Sequence, residues 1–142
     1  MPYATLDSLI DRYGEALLVQ LTDRGVVPTG AIDQDVTERG RIDAEALVDG
    51  YLGVKYSLPL AEVPPLIADI TRRIWLYNLH PHTPDDKVKA DYEAALRQLR
   101  DIASGTLTIP AAGLAPAVAD GMGAQFTDRD RDFSPETMTG FI

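Results

Sequence analysis

Thr83-Pro84-Asp85-Asp86-Lys87-Val88-Lys89-Ala90-Asp91-Tyr92-Glu93-Ala94-Ala95-Leu96-Arg97-Gln98-Leu99-Arg100-Asp101-Ile102-Ala103-Ser104-Gly105 carries both ends of a helix and its periodicity. Thr83 offers a cap, Pro84 suits the first helical position, and Asp85 and Asp86 face the positive end of the helix dipole. Val88, Tyr92, Leu96, Leu99 and Ile102 recur every three or four residues and define one buried stripe. Asp85 with Lys89 and Glu93 with Arg97 sit one turn apart on the opposite side, and Gly105 supplies the stop.

Four more helices read outward from this one. Pro64 and Pro65 open a segment in which Leu66, Ile67, Ile70, Ile74, Trp75 and Tyr77 repeat at helical spacing, and its apolar content predicts the central buried helix. Asp33 to Leu52 fits a longer helix with a kink or break expected at Gly40, where glycine costs roughly 1 kcal/mol against alanine. Thr5 caps a short helix carrying Leu6, Leu9, Ile10 and Tyr13, which Gly14 separates from a second short one over Glu15 to about Leu21. Val54 to Pro65 holds prolines at 59, 64 and 65 and is expected to form a shaped loop.

The expected architecture is all-α: a small bundle of about five helices over residues 1–105, with a long irregular or extended C-terminal arm over residues 106–142. The last 38 residues, counted from Gly105, have five glycines, three prolines and no sustained period, so they lack a core of their own. Such a segment reaches on the order of 120 Å when extended. Its end, Phe133-Ser134-Pro135-Glu136-Thr137-Met138-Thr139-Gly140-Phe141-Ile142, returns to aromatic and aliphatic residues, as a docking peptide does.

Composition excludes several classes. With 142 residues the chain fits one domain that buries enough surface to fold without staples, and the absence of cysteine removes disulfides, thiolate metal sites and a cysteine nucleophile. A net charge of −9 opposes sequence-independent DNA binding, which depends on basic residues displacing counterions from phosphates. Residues 1–62, 63–104 and 105–142 carry −6, 0 and −3 of that charge, so the middle of the chain is the balanced part. No stretch approaches the roughly 20 apolar residues of a membrane span, and Met1 to Ala4 is not the basic start of a secretion signal. The expectation is no membrane association and residence in the cytoplasm of the host cell.

Motifs that could carry chemistry are incomplete. Asp128, Asp130 and Asp132 begin like a calcium loop with Glu136 ninth, but Phe133 stands where glycine is needed and Thr139 where a bidentate glutamate is needed. His80 and His82 flank Pro81 and could join Asp85 or Asp86 at a metal, but no third ligand is fixed, and a polar interhelical turn is the simpler reading. Asp7, Asp11 and Glu15 can align one turn apart, without an apolar pocket to separate their pKa values. Arg72 and Arg73 follow Asp69 by one turn, which reads first as an intrahelical surface pair and second as an interface or phosphate contact. The serines lack a nucleophile elbow, and neither a phosphate loop nor a dinucleotide fingerprint is present. No catalytic residue, metal or cofactor is expected.

The order of landmarks adds what single motifs lack. Tyr3-Ala4-Thr5-Leu6, Leu9-Ile10, Arg12-Tyr13-Gly14, Leu21-Thr22-Asp23, Tyr51-Leu52, Tyr56, Leu58-Pro59-Leu60, Val63-Pro64-Pro65-Leu66 and Ile102-Ala103-Ser104-Gly105 together resemble Mu-like phage and prophage head-to-tail joining proteins. The resemblance covers about residues 3–105, and the ending Phe133-Ser134 to Gly140-Phe141 is also similar to that family's C-terminus. It implies a structural adaptor of the virion neck, assembled in the bacterial host cytoplasm, and not an enzyme. Such an adaptor forms a ring of identical copies beneath the portal protein, with the twelve-fold symmetry of related adaptors. It joins the DNA-filled head to a tail or stopper protein, and DNA passes through without specific binding. The C-terminal arm is then expected to reach the portal. Phe133, Met138, Phe141 and Ile142 are the expected anchors, and Tyr56, Leu58 and Leu60 of the proline loop are further candidates for contact with the portal or a neighbouring copy. Many members have an Asp- and Gly-rich, cation-binding loop after the position of Asp23. This chain has Arg24-Gly25-Val26-Val27-Pro28 instead, so no metal is carried over. Two readings of other classes stand beside this one: a small metal-dependent or acid-base enzyme using His80 and His82, and a regulatory module whose tail folds on a host protein.

Overall fold

A computed structural model describes residues 2–110, which form five helices: α1 (Leu6–Tyr13), α2 (Glu15–Thr22), α3 (Gln34–Leu52), α4 (Pro65–Leu79) and α5 (Asp86–Ser104). The fold is all-α, with α4 packed between α3 and α5 and the short pair α1 and α2 against one another.

Local sequence accounts for the helix ends. Thr5 caps α1 by a reciprocal box: its hydroxyl accepts from the Ser8 N–H at 3.2 Å, and the Ser8 hydroxyl accepts from the Thr5 N–H at 3.2 Å. Gly14 separates α1 from α2 with φ of +88° and ψ of 145°, positive as expected but outside the left-handed helical region. The Asp33 carboxylate accepts from the Asp35 and Val36 N–H groups at 2.9 and 3.2 Å and caps α3. Its own N–H donates to the Thr22 hydroxyl at 3.1 Å, which in turn donates to the Leu18 carbonyl, so the end of α2 is tied to the start of α3.

α3 runs unbroken through Gly40. The glycine is used for close approach and not for a kink: a Cβ there would lie 3.0 Å from Leu79 Cδ2 and 3.2 Å from Trp75 Cδ1. Trp75, at the heart of α4, donates its indole N–H to the Thr37 carbonyl at 2.9 Å, which satisfies its one polar atom in the core. α4 is the central buried helix that its apolar content predicts, with Ile67, Ile70, Thr71, Ile74, Trp75, Leu76 and Leu79 all buried.

α5 begins two residues later than its leading cap signal suggests. Asp85 occupies the cap position without a side-chain hydrogen bond, which leaves Thr83 and Pro84 in the preceding loop. Its ion pair at one-turn spacing is Lys87–Asp91 at 2.9 Å, and neither Asp85–Lys89 nor Glu93–Arg97 closes among the described residues. Gly105 ends α5 in the left-handed conformation at φ of +84°. The chain then stays on the bundle: Ile109 is buried, and its N–H donates to the Tyr56 hydroxyl at 3.2 Å.

Candidate interaction surface

α1, α4 and α5 are tied together at one carboxylate. Asp69 of α4 accepts from Arg12 of α1 and from Arg73 one turn later, and Arg73 also donates to the Gln98 side chain of α5 at 2.9 Å. Arg72 stands further off, 4.0 Å from Asp69. Partial burial pushes the Asp69 carboxyl up, but the hydrogen bonds and charges of Arg73 and Arg12 outweigh it and hold the group below the usual carboxylate range. The Asp69–Arg73 pair is thus intrahelical, as the spacing suggests, and the contact with Arg12 is an interhelical one that spacing could not reveal.

The possible chemical clusters lie apart. The His80 ring Nδ1 sits 2.8 Å from the Leu76 carbonyl, within its own helix end, whereas His82, Asp85 and Asp86 are exposed. Among the described residues no three His, Asp or Glu side chains gather as a metal site. Asp7 and Asp11 are exposed on α1, and Glu15 begins α2 beyond Gly14, so the three do not share one helix.

The proline loop divides its apolar residues between core and surface. Tyr56 and Leu60 are buried in their own subunit, while Leu58 is 38% exposed. Leu58, Pro59 and Leu60 line a groove of about 400 Å³ whose other wall is Tyr3, Glu45 and Asp49. Tyr3 donates its backbone N–H to Glu45 at 2.9 Å and its hydroxyl to Asp49. Burial, with the Asp49 carboxylate beside it, pushes the Tyr3 phenol well above its ordinary value. On α3, Arg41 bridges Glu38 and Glu45, and its hydrogen bond holds the exposed Glu38 carboxyl below the ordinary value.

A second surface feature lies between α2 and α3. The Asp23 carboxylate accepts from the Thr29 and Gly30 N–H groups at 2.9 and 3.0 Å, and Arg24 donates to the Leu21 carbonyl at 3.0 Å and to the Leu79 carbonyl at the end of α4. Asp23 is therefore occupied in shaping its own loop. The tether leaves Val26 and Val27 fully or largely in solvent, at 103% and 75% exposure. Sequence reasoning treated Val26-Val27 only as a departure from a family pattern, although residues 25–32 carry no charge in a chain that is 25% charged. That uncharged run was the available signal. The expected anchors Phe133, Met138, Phe141 and Ile142, and the aspartates 128, 130 and 132, lie outside the described residues.

No helix among the described residues is long and apolar enough to cross a membrane. Known proteins place the chain. The family described as Bacteriophage Mu, Gp36 matches residues 3–128. The Mu-like prophage FluMu protein gp36 of Haemophilus influenzae is 29% identical over 140 residues, 99% of this chain and 98% of that one. Gene product J of Escherichia phage Mu is 33% identical over 105 residues, 74% of either chain. A match over that much of the sequence means that this chain is a Mu-like phage protein and belongs to the phage Mu Gp36 family.

Proposed function

We propose that the protein is a structural component of the phage neck: a head-to-tail adaptor that forms a ring of identical copies, twelve in number, under the portal and receives a tail or stopper protein below. The observation that carries this reading is the extent of the similarity. The described helical core reaches Ile109, the family match runs on to residue 128, and the prophage relative aligns over 99% of the chain. The glycine-rich segment with its apolar end accompanies the domain, as a docking arm would.

Two physical points support it. An acidic assembly repels DNA passing through it, which suits a conduit; a net charge of −9 per copy multiplies around a ring. An arm that becomes ordered on its partner loses affinity to conformational entropy, and many copies on one ring restore it through multivalency. Phe133, Met138, Phe141 and Ile142 are the arm's anchors on the portal, and Leu58 is the residue of the proline loop that remains available to a neighbour.

The test is complementation of a phage deleted for this gene. The full chain is expected to restore joined, infectious particles, whereas a chain ending at residue 110 leaves filled heads and free tails. Joined particles from the truncated chain would contradict the docking arm.

A further inference from the structure

Arg12, Arg72 and Arg73 bring three positive charges to one carboxylate, Asp69, and among the described residues no second acidic side chain lies within 4.0 Å of any of them. Asp91, which like Asp69 is close enough to act on Tyr13, is held by Lys87 at 2.9 Å. Two of the three charges are left without a counter-charge, in a chain whose net charge is −9.

Arg72 is the least satisfied of the three. Its guanidinium comes no nearer than 4.0 Å to Asp69, beyond hydrogen-bonding reach, and its Nε, like that of Arg73, is shut off from solvent with no acceptor among the described residues. A sheltered charged donor without an acceptor is costly. The Arg72 side chain is still 21% exposed and that of Arg12 42%, so an acceptor can reach the cluster from outside the bundle.

Several acids of the helical domain are already spent: Asp23 and Asp33 on backbone N–H groups, Glu38 and Glu45 on Arg41, and Asp49 on Tyr3. Beyond residue 110, Asp128-Arg129-Asp130-Arg131-Asp132 is the one stretch of the chain that repeats an acid three times at every second residue. In an extended chain alternate side chains share a side, so these carboxylates fall together, about 7 Å apart, and both arginines fall on the opposite side. Reach permits the contact. Ile109 is bonded to Tyr56 just past the end of α3, and α4 starts at that same end, because Trp75 and Leu79 of its second half pack at Gly40 in the first half of α3. The 18 residues from 111 to 128 span up to about 60 Å, several times the two helical turns between Pro65 and Arg73.

We propose that Asp128, Asp130 and Asp132 dock on Arg12, Arg72 and Arg73 of their own subunit, which pins the arm to the face shared by α1, α4 and α5 and makes that face the place from which residues 133–142 depart. The contact goes beyond the neck reading and needs no portal. Charge complementarity selects the segment, and the tether selects the same subunit, because a short linker holds the segment at millimolar effective concentration. Exposed ion pairs add little to folding stability, so the contact orients the arm and leaves the melting of the helical domain unchanged.

The chain has no cysteine of its own, so a single nitroxide can be placed at Thr127→Cys in the full-length protein and its paramagnetic broadening read on backbone amides by NMR. The expected result is broadening centred on residues 12–13, 69–73 and 98, at least threefold stronger there than across α2, and lost on adding Asp128→Asn, Asp130→Asn and Asp132→Asn or on raising salt. These three substitutions lie outside the helical domain, so its folding is not at stake; Arg72→Gln is expected to weaken the same broadening. Broadening that is uniform, centred on another face, or unmoved by the three asparagines would overturn the proposal. An isotope-labelled chain without the nitroxide, mixed with an unlabelled chain that carries it, is expected to show no broadening, and broadening in that mixture as strong as in the single chain would overturn docking within the subunit. Because no phage component enters the measurement, its failure leaves the neck reading standing, and a full chain that fails to join heads to tails leaves this contact standing.

Discussion

Two glycines of α3 make opposite predictions. Gly40→Ala puts a methyl 3.0 Å from Leu79 Cδ2 and 3.2 Å from Trp75 Cδ1. Overpacking of about 1–3 kcal/mol there exceeds the gain in helix propensity of about 0.5–1 kcal/mol, so the variant should unfold at lower urea. Gly50→Ala meets open space and should gain that propensity. Asp69 makes a pH prediction. Its folded pKa lies below the unfolded value of about 3.9, so its contribution is present above that value and is lost as pH falls through the lower folded one. Asp69→Asn should cost about 1.5–3 kcal/mol at neutral pH through the charged hydrogen bonds to Arg12 and Arg73, and should flatten the acid limb of a stability-against-pH curve. Tyr3 acts at the other end: its folded pKa is raised, so its contribution is complete below about pH 10 and declines as pH rises toward the folded value. A Tyr3→Phe variant should lack that alkaline decline.

Helix ends can be tested singly, because each has a different capping chemistry. Asp33→Ala removes the acceptor of two N–H groups at the start of α3 and should cost about 1 kcal/mol by urea denaturation, with most of it recovered by Asp33→Ser. Asp85→Ala, at a cap without a side-chain hydrogen bond, should cost markedly less. The five helices were legible in the sequence because their signals are local: Thr5, Asp33, Pro65 and Gly105 mark ends, and the stripes in α4 and α5 mark faces. What local signals cannot carry is what lies across the bundle. Gly40 reads as a defect until Trp75 and Leu79 are seen against it, and Arg12 and Asp69, 57 residues apart, carry no mark of their pairing. In the proline loop, sequence singled out Tyr56, Leu58 and Leu60 together, whereas packing separates buried Tyr56 and Leu60 from exposed Leu58. Two valines beside a proline are ordinary in sequence; only exposure and tethers set the Val26-Val27 loop apart.

At the scale of the whole molecule, the proposed adaptor reading divides the chain between the described helical domain and the residues beyond it. The division point follows from packing. Ile109 is buried and bonded to Tyr56, so a chain ending at residue 110 should keep the melting behaviour of the full protein, whereas one ending at Gly105 exposes the Ile109 site and should lose about 1.5–3 kcal/mol. The same pair of truncations separates a folding defect from a docking defect in phage complementation. The acidic charge adds a salt dependence: copies of net charge −9 brought side by side repel, so self-association should strengthen as ionic strength rises and screening shortens the reach of that repulsion. The most direct measurement is native mass spectrometry of the purified full chain mixed with purified portal, beside the residue-110 truncation. The account predicts a complex holding one ring of adaptor copies per portal ring for the full chain and none for the truncation. Monomers that ignore the portal in both cases would contradict it.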